Sequence, residues 1–273
     1  MTIDRVTVAR VSANLALTCI ILAFLAPMMW MFSAAFNPTA SMSFQWPDDA
    51  GLDNFRNLGP ISRPLINSMV LALSSSVITV VAACLCSYPL SRYKLRFGKP
   101  FLYIILLSSG LPIIALMIPT YRMFSKLGFI DSYPMIAIFL AATNLPFAIW
   151  LAKNFIDGVP LALEEAARVD GASTSQVMRY IVFPLIRPGM VVLFTFSFIA
   201  NWGNFFVPFL LITSTEKYTA SIAIYNYFSS FGGVYFGRIA AFAIIYSAPA
   251  IVLYAFVSKA LGRSLSFAGG VKE

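Results

Sequence analysis

Residues 64–91 read PLINSMVLALSSSVITVVAACLCSYPLS and contain no Asp, Glu, Lys or Arg. The hydrocarbon core of a bilayer is about 30 Å thick, and a helix needs roughly 20 apolar residues to cross it. This stretch is long enough, and it lacks the charges that a soluble amphipathic helix carries on its exposed face. It therefore predicts a transmembrane helix.

The same pattern recurs along the whole chain. Of its 273 residues, 59% are apolar and 11% are charged, whereas about a quarter are charged in an ordinary soluble domain. We expect an all-α, polytopic membrane protein with six transmembrane helices, kinked or broken at internal prolines. The six uncharged runs are residues 11–36, 64–91, 101–121, 132–152, 188–215 and 239–258. The first run exceeds the 7 to 15 apolar residues of a signal peptide, so we interpret it as a retained span.

The distribution of basic residues predicts the orientation. With six spans, both termini lie on one side of the membrane, and that side carries 13 of the 19 Lys and Arg residues. Cytoplasmic loops are enriched in these residues. We therefore expect the chain to lie in the inner membrane with both termini in the cytoplasm. The net charge of +8 then follows from topology and does not indicate nucleic-acid binding.

The sequence also lacks the residues that most catalytic or energy-converting sites require. It has no histidine, and Cys19, Cys84 and Cys86 all fall inside predicted spans, so we expect neither a metal site nor a disulfide framework. It has no G-x-x-x-x-G-K-[ST] phosphate loop and no ionisable residue within the runs to relay protons. We therefore expect no catalytic residue and no cofactor in this chain, and any energy for transport must come from a partner.

The inner loop at residues 153–187 is the longest on its side, and its punctuation predicts two short helices. Pro160 suits the start of the first helix, and Gly171 can adopt the left-handed conformation that ends it. Ser173 and Gln176 have the spacing of a capping box for the second helix.

The first of these helices reads EEAARVDG from Glu164 to Gly171. Its two alanines allow close approach of another protein, and the flanking charges can pair at the rim of a groove, so we interpret it as a docking helix. Residues 166–181 also resemble a DNA-binding helix-turn-helix. The loop, however, has four basic and four acidic residues, and it lacks the basic footprint that DNA binding requires.

Together with Ile181 and Pro184, this run resembles the EAA loop of bacterial ABC importer permeases, the short helix that docks into the ATPase subunit. The resemblance extends over most of the chain and is to the carbohydrate branch, the maltose-permease G-subunit type. The other matching segments are NS at 67–68, YPLSR at 88–92, IPTY at 118–121, KLG at 126–128, DS at 131–132 and AGGVK at 268–272.

This resemblance implies a type I ABC importer permease fold and a domain plan. Residues 1–63 would form the N-terminal span and outer loop, residues 64–262 the permease domain with its coupling loop at 153–187, and residues 263–273 a cytoplasmic tail. The implied partners are a homologous or identical permease subunit, a dimer of ATP-binding subunits that hold ATP and Mg²⁺, and an extracytoplasmic sugar-binding protein. The implied ATPase-docking residues are Glu164, Glu165, Ala166, Ala167, Asp170 and Gly171.

A translocation path for a sugar is expected along uncharged polar and aromatic side chains. The candidates are Asn144, Asn201, Trp202, Asn204 and Phe205. Family members usually have Trp-Asn-Asp or Trp-Asn-Glu before this Phe, and the acidic group is absent here. Related permeases also transport glycerol phosphodiesters, which remains the main alternative substrate class. A secondary carrier and a membrane enzyme are further alternatives, although the runs lack intramembrane ion sites and a catalytic pair.

Overall fold

The computed structural model describes residues 5–227 and 233–269, and most of them are helical. Short 3₁₀ turns at Thr215–Lys217 and Ile224–Tyr227 and one π-helical turn at Met178–Val182 complete the regular structure. The helices are α1 Arg5–Phe36, α2 Asp53–Arg56, α3 Ser62–Arg92, α4 Gly98–Ser108, α5 Ile113–Leu127, α6 Tyr133–Asp157, α7 Leu161–Val169, α8 Thr174–Val177, α9 Phe183–Leu185, α10 Arg187–Trp202, α11 Phe206–Leu211, α12 Ala220–Ala223 and α13 Phe236–Gly269.

Four helices of the described residues are long and apolar enough to cross a membrane. They are α1, α3, α6 and α13, and they correspond to the first, second, fourth and sixth predicted runs. Two bent helix pairs also pass the same test, which gives up to six spans when each pair counts as one. The expectation of an all-α, multi-pass membrane protein is therefore confirmed.

The third predicted run, 101–121, is not one straight helix. Helices α4 and α5 meet at about 90° across a break of four residues. Pro112 lies at the start of α5 with an extended backbone, at ψ 122°. Proline lacks the amide hydrogen that would continue the α4 ladder. The predicted span is thus broken in its middle.

The fifth predicted run, 188–215, is likewise divided. Helix α10 ends at Trp202, and its 16 residues span about 24 Å at 1.5 Å per residue, less than the bilayer core. The Asn204 side-chain oxygen accepts a hydrogen bond from the Val207 amide, 3.1 Å away, and this bond caps the short helix α11. At its other end, α10 makes an angle of 75° with the helical segment Thr174–Leu185.

The chain forms two compact units. One comprises Met1–Ile61 and Ile224–Ala248, and the other comprises Ser62–Ala223 and Pro249–Glu273. Within the predicted cytoplasmic tail at 263–273, residues 263–269 form the last part of α13. Residues 270–273 lie outside the described residues.

The first unit holds the short helix α2, which follows α1 in the chain. Asn54 of this helix is buried and donates hydrogen bonds from Nδ2 to the carbonyls of Ala35 and Asn37, at 3.1 and 2.8 Å. The Tyr227 hydroxyl donates to the Leu58 carbonyl at 2.9 Å. The Asn54 bonds fix α2 against the end of α1, and the Tyr227 bond holds the chain that follows α2.

The second unit is built around α3, which packs against α6 and α10. Small residues allow these backbones to approach closely, and the Ser87 hydroxyl of α3 donates to the Ile149 carbonyl of α6 at 2.8 Å. One apolar cluster includes Tyr88, Ile156 and Leu193, and a second includes Met117 and Leu211. The first cluster supports the 153–187 loop described next.

Candidate functional site

Helix α7 begins and ends where the sequence predicts. Pro160 precedes its first residue with an extended backbone, at ψ 125°. Gly171 adopts the left-handed conformation, with φ +87°. The amide of Ala172, one residue further on, donates to the Ala167 carbonyl at 2.9 Å. Because the chain reverses direction at this glycine, α7 ends here as a short helix with one side exposed.

The second helix of the loop starts with the predicted capping box. The Ser173 hydroxyl accepts from the Gln176 amide, and the Gln176 side chain accepts from the Ser173 amide at 2.8 Å. Helical structure then continues through a π-helical turn to Leu185, one residue beyond Pro184. The predicted capping box is therefore confirmed.

Glu164 is fully buried, although the sequence places it in a charged loop helix. Its Oε1 accepts from Arg92 Nε at 2.6 Å, and its Oε2 accepts from the Tyr88 hydroxyl at 2.9 Å. Arg168, one turn later on α7, lies 3.9 Å from the same Oε2 and donates to the Tyr88 hydroxyl at 3.2 Å. The Glu164 side chain therefore attaches α7 to the C-terminal end of α3.

Arg92 also attaches α7 to the rest of the unit, through the chain at the end of α6. Its Nη2 donates to the carbonyls of Ile156 and Val159, at 2.9 and 3.0 Å, where α6 ends and turns toward α7. Its side chain is 8% exposed. A single guanidinium thus joins the ends of α3 and α6 to the buried carboxylate of Glu164.

The remaining predicted docking residues lie on the outer side of the helix. Glu165, Ala166, Asp170 and Gly171 are exposed, and Ala167 is half-buried. Two apolar side chains accompany them: Val169 is 88% exposed and Leu163 is 46% exposed. Apolar side chains beside small and charged ones are typical of a surface that another protein covers.

The candidate path residues divide into two groups. Asn144 Nδ2 donates to Asn201 Oδ1 at 2.9 Å, and Asn201 is buried between α6 and α3. Trp202 is also buried and stacks on Phe198 with ring centroids 5.7 Å apart. Asn201 and Trp202 therefore lie in the helix packing, while Asn144 reaches from this network toward the surface.

Asn144 and Asn204 line a cavity of about 410 Å³ at the bend between α4 and α5. Phe205 is partly buried and stacks on Phe209, with ring centroids 4.9 Å apart, outside the lining of this cavity. Sequence reasoning missed the serines and the threonine of the cavity, because it expected a kink or break at an internal proline but not the bend of about 90° that exposes them. The polar lining residues are Ser108, Ser109, Thr143, Asn144 and Asn204.

A second polar cluster lies at the start of α6, at the end away from the coupling loop. The Asp131 carboxylate accepts from the amide and hydroxyl of Thr213 at 2.7 and 2.6 Å, and from those of Ser214 at 3.0 and 2.8 Å. Partial burial raises the pKa of Asp131, but these four hydrogen bonds outweigh it and lower the pKa from 3.8 to about 2. The carboxylate thus fixes the chain after α11 to the start of α6.

Sequence reasoning did not identify Tyr88 and Arg92 as the side chains that hold Glu164. Tyr88 and Arg92 belong to the YPLSR segment that supported the family resemblance, but the sequence alone does not pair them with Glu164. Among the described residues, no group of three or more His, Cys, Asp or Glu side chains could hold a metal ion.

Comparisons with known proteins agree with this architecture. The chain is 30% identical to the maltodextrin transport system permease protein MdxG of Bacillus subtilis, with 96% of each chain covered. It is also 30% identical to the trehalose transport system permease protein SugB of Mycobacterium tuberculosis, covering 91% of this chain and 92% of the relative.

A solved structure shows the same fold. A chain of the bacterial ABC transporter involved in the import of the acidic polysaccharide alginate superposes with a TM-score of 0.80 at 20% identity, covering 95% of this chain and 98% of that one. Residues 75–266 match the family described as the binding-protein-dependent transport system inner membrane component. The resemblance inferred from the EAA loop is confirmed, and the chain belongs to this family of membrane transport permeases, which are not enzymes.

Proposed function

We propose that this chain is a permease subunit of an ATP-driven importer for a neutral sugar or oligosaccharide. Its relatives MdxG and SugB are named for maltodextrin and trehalose transport. The observation that carries the proposal is helix α7, which is fixed internally through Glu164 and exposes Glu165, Ala166 and Gly171 on its outer side.

The coupling mechanism follows from that division of the helix. Of the two ATP-binding subunits, which would hold the ATP and Mg²⁺, one docks on the exposed side of α7. Their closure displaces α7, and Glu164 passes the displacement to α3 and α6 through Tyr88 and Arg92. Alternating access would then arise as this chain moves against a partner permease.

The lining of the cavity at the α4–α5 bend supports a neutral polyhydroxyl solute. Amide and hydroxyl groups of Asn144, Asn204 and Thr143 can donate and accept hydrogen bonds with sugar hydroxyls. The residues that line this cavity include no Lys or Arg. A phosphodiester or a polyanionic sugar would need such cations, so a neutral sugar is the better fit.

The assembly and orientation follow from the same proposal. The termini and the 153–187 loop face the cytoplasm, as the distribution of Lys and Arg predicts. An extracytoplasmic sugar-binding protein delivers the substrate to the opposite face. One of the solved alginate transporter structures includes a pentasaccharide-bound periplasmic protein.

Co-expression with the candidate ATPase, permease and binding-protein partners tests the proposal. We expect Glu165→Ala and Gly171→Asp to abolish ATP-dependent uptake of radiolabelled oligosaccharides and to reduce co-purification of the ATPase. The matched control is Lys126→Ala, an exposed residue at the end of α5, which should retain both. Full uptake by an intact complex of either α7 variant would refute the coupling role of α7, and uptake without ATPase would refute the importer assignment.

A further inference from the structure

A cavity of about 430 Å³ lies where α3 and α6 end and α4 begins, on the side of the coupling loop. It is formed by the chain between α3 and α4, together with the last turns of α6. Four of its lining residues are cationic: Lys94, Arg96, Lys99 and Lys153. The positive-inside rule accounts for their side of the membrane, but it does not account for their convergence on one cavity.

Three of these cations lack an acidic partner. Lys153 pairs with Asp157 at 2.6 Å. Within residues 5–227 and 233–269, Lys94, Arg96 and Lys99 form no ion pair. The guanidinium of Arg96 lies 5.6 Å over the ring of Phe97. Three unneutralised charges at one cavity favour an anionic ligand.

An apolar groove of about 530 Å³ adjoins this cavity. Leu90, Leu95, Arg96 and Gly98 line both spaces. The groove continues along Cys86, Pro89, Phe97 and Phe101, toward the membrane-embedded part of α3. Phe97 is 68% exposed and Phe101 46% exposed. A ligand that fills both spaces must carry a negative head group and an apolar chain.

We propose that this pair of spaces binds an anionic phospholipid of the phosphatidylglycerol class. Its phosphodiester is held by Lys94, Arg96 and Lys99, and one acyl chain lies along the Cys86–Phe101 groove. Basic pockets between transmembrane helices are established sites for such head groups. The site goes beyond the proposed sugar transport and does not depend on it. The lipid would secure the α3–α4 connection two residues from Arg92, which holds the coupling helix.

Native mass spectrometry of the delipidated full-length chain in a non-ionic detergent tests this site. The probes are dioleoylphosphatidylglycerol, dioleoylphosphatidylcholine and the chain-free head group glycerophosphoglycerol. We expect phosphatidylglycerol to bind at least about tenfold more tightly than phosphatidylcholine, since the Lys and Arg side chains near the head group attract its negative charge. The head group alone should bind much more weakly, because it leaves the apolar groove empty.

Two triple variants with the same change in charge locate the site. Lys94→Gln, Arg96→Gln and Lys99→Gln together should remove the preference for phosphatidylglycerol. Arg63→Gln, Arg122→Gln and Lys126→Gln together alter exposed cations outside the cavity and should retain it.

Equal binding of the two lipids by the unaltered chain overturns the proposal and leaves the cavity to an acidic protein partner. Equal loss in both triple variants also overturns it, because the effect would then be one of net charge. Binding of glycerophosphoglycerol as tight as that of the lipid identifies a site for a free phosphodiester. The comparison of lipids on the unaltered chain decides the proposal even if a triple variant does not fold.

Discussion

Arg92 Nε and Glu164 Oε1 lie 2.6 Å apart, with 8% and 0% of their side chains exposed. The pair joins the last residue of α3 to the helix proposed to dock the ATPase. Removing one partner of a buried ion pair costs roughly 3 to 5 kcal/mol, and Arg168, 3.9 Å from Glu164 Oε2, would offset only part of that cost. We therefore expect Arg92→Ala to lower the thermal unfolding midpoint of the purified chain strongly. Glu165→Gln, which alters the exposed neighbour, should change the free energy of unfolding by less than about 0.5 kcal/mol.

Proteolysis separates a local effect from a global one. Limited proteolysis of the Arg92→Ala variant should cut within residues 158–172 faster than in the unaltered chain, because α7 loses its attachment. If Arg92→Ala and Glu165→Gln unfold at the same temperature with the same cleavage pattern, the buried pair does not hold the helix.

The two glycines that flank α7 should respond to alanine in opposite directions. Gly171 has φ +87°, and no heavy atom lies within 4 Å of an added Cβ, so the cost of Gly171→Ala is backbone strain alone. That strain is about 1 to 2 kcal/mol. Gly158 has φ −72°, in the ordinary helical region. Gly158→Ala should be neutral or stabilising by up to about 1 kcal/mol.

Thermal unfolding of both variants in the same detergent checks this prediction. Gly171→Asn should recover part of the loss, since asparagine tolerates the left-handed conformation better than alanine does. Equal midpoints for Gly171→Ala and Gly158→Ala would contradict the role given to the turn.

The Asp131 cluster should make the stability of the outer loops depend on acid pH. The folded-state pKa of Asp131 is lowered to about 2 from 3.8, so its stabilisation is fully present above pH 4 and is lost as the pH falls toward 2. Asp131→Asn keeps the side-chain shape and suits the positive φ of 63°. At pH 7 this variant should be less stable by about 1 kcal/mol, after allowance for solvent screening.

Unfolding midpoints of the unaltered chain and of Asp131→Asn, measured between pH 7 and pH 2, test this dependence. The difference between the two proteins should shrink below pH 4 and vanish near pH 2. A difference that stays constant over this range would show that the charge of Asp131 does not contribute.

A bulky residue in the cavity at the α4–α5 bend should block transport. Ala142 lines this cavity and is exposed to it. Ala142→Trp would fill much of the space beside Asn144 and Asn204 and should abolish sugar uptake in the assembled complex. Ile138→Trp, one turn earlier on α6 and 50% exposed, is the control and should transport normally.

ATPase activity shows whether the Ala142→Trp complex is intact, because obstruction of the path leaves assembly unchanged. Normal uptake by a stable Ala142→Trp complex would exclude this cavity from the path.

The sequence predicts the long helices well and the geometry of the broken ones poorly. The length of the apolar run alone identifies α1, α3, α6 and α13, since the thickness of the bilayer fixes how many apolar residues a spanning helix needs. The break at Pro112 follows from the proline, as expected, whereas the break after Trp202 depends on local hydrogen bonding, such as the bond from the Val207 amide to the Asn204 side chain. An uncharged run contains no signal for the angle at which its two parts meet.

The site shows the same limit. The helix bounds, the glycine turn and the capping box of the coupling loop follow from local residue preferences and were predicted. The burial of Glu164 was not, because a glutamate in a short charged helix usually faces water. Its partners Tyr88 and Arg92 are more than 70 residues away in the chain, and only tertiary packing brings them together.

Helix α3 connects both ends of the second unit without a break in its 31 residues. At its outer end, Asn67 Nδ2 donates to the Glu216 and Tyr218 carbonyls, each at 3.0 Å. At its inner end, Arg92 holds Glu164. The helix is about 46 Å long, and hydrogen bonds hold it at both ends. Under the coupling proposed above, a displacement of α7 would therefore reach the loop that follows α11 through a single continuous helix.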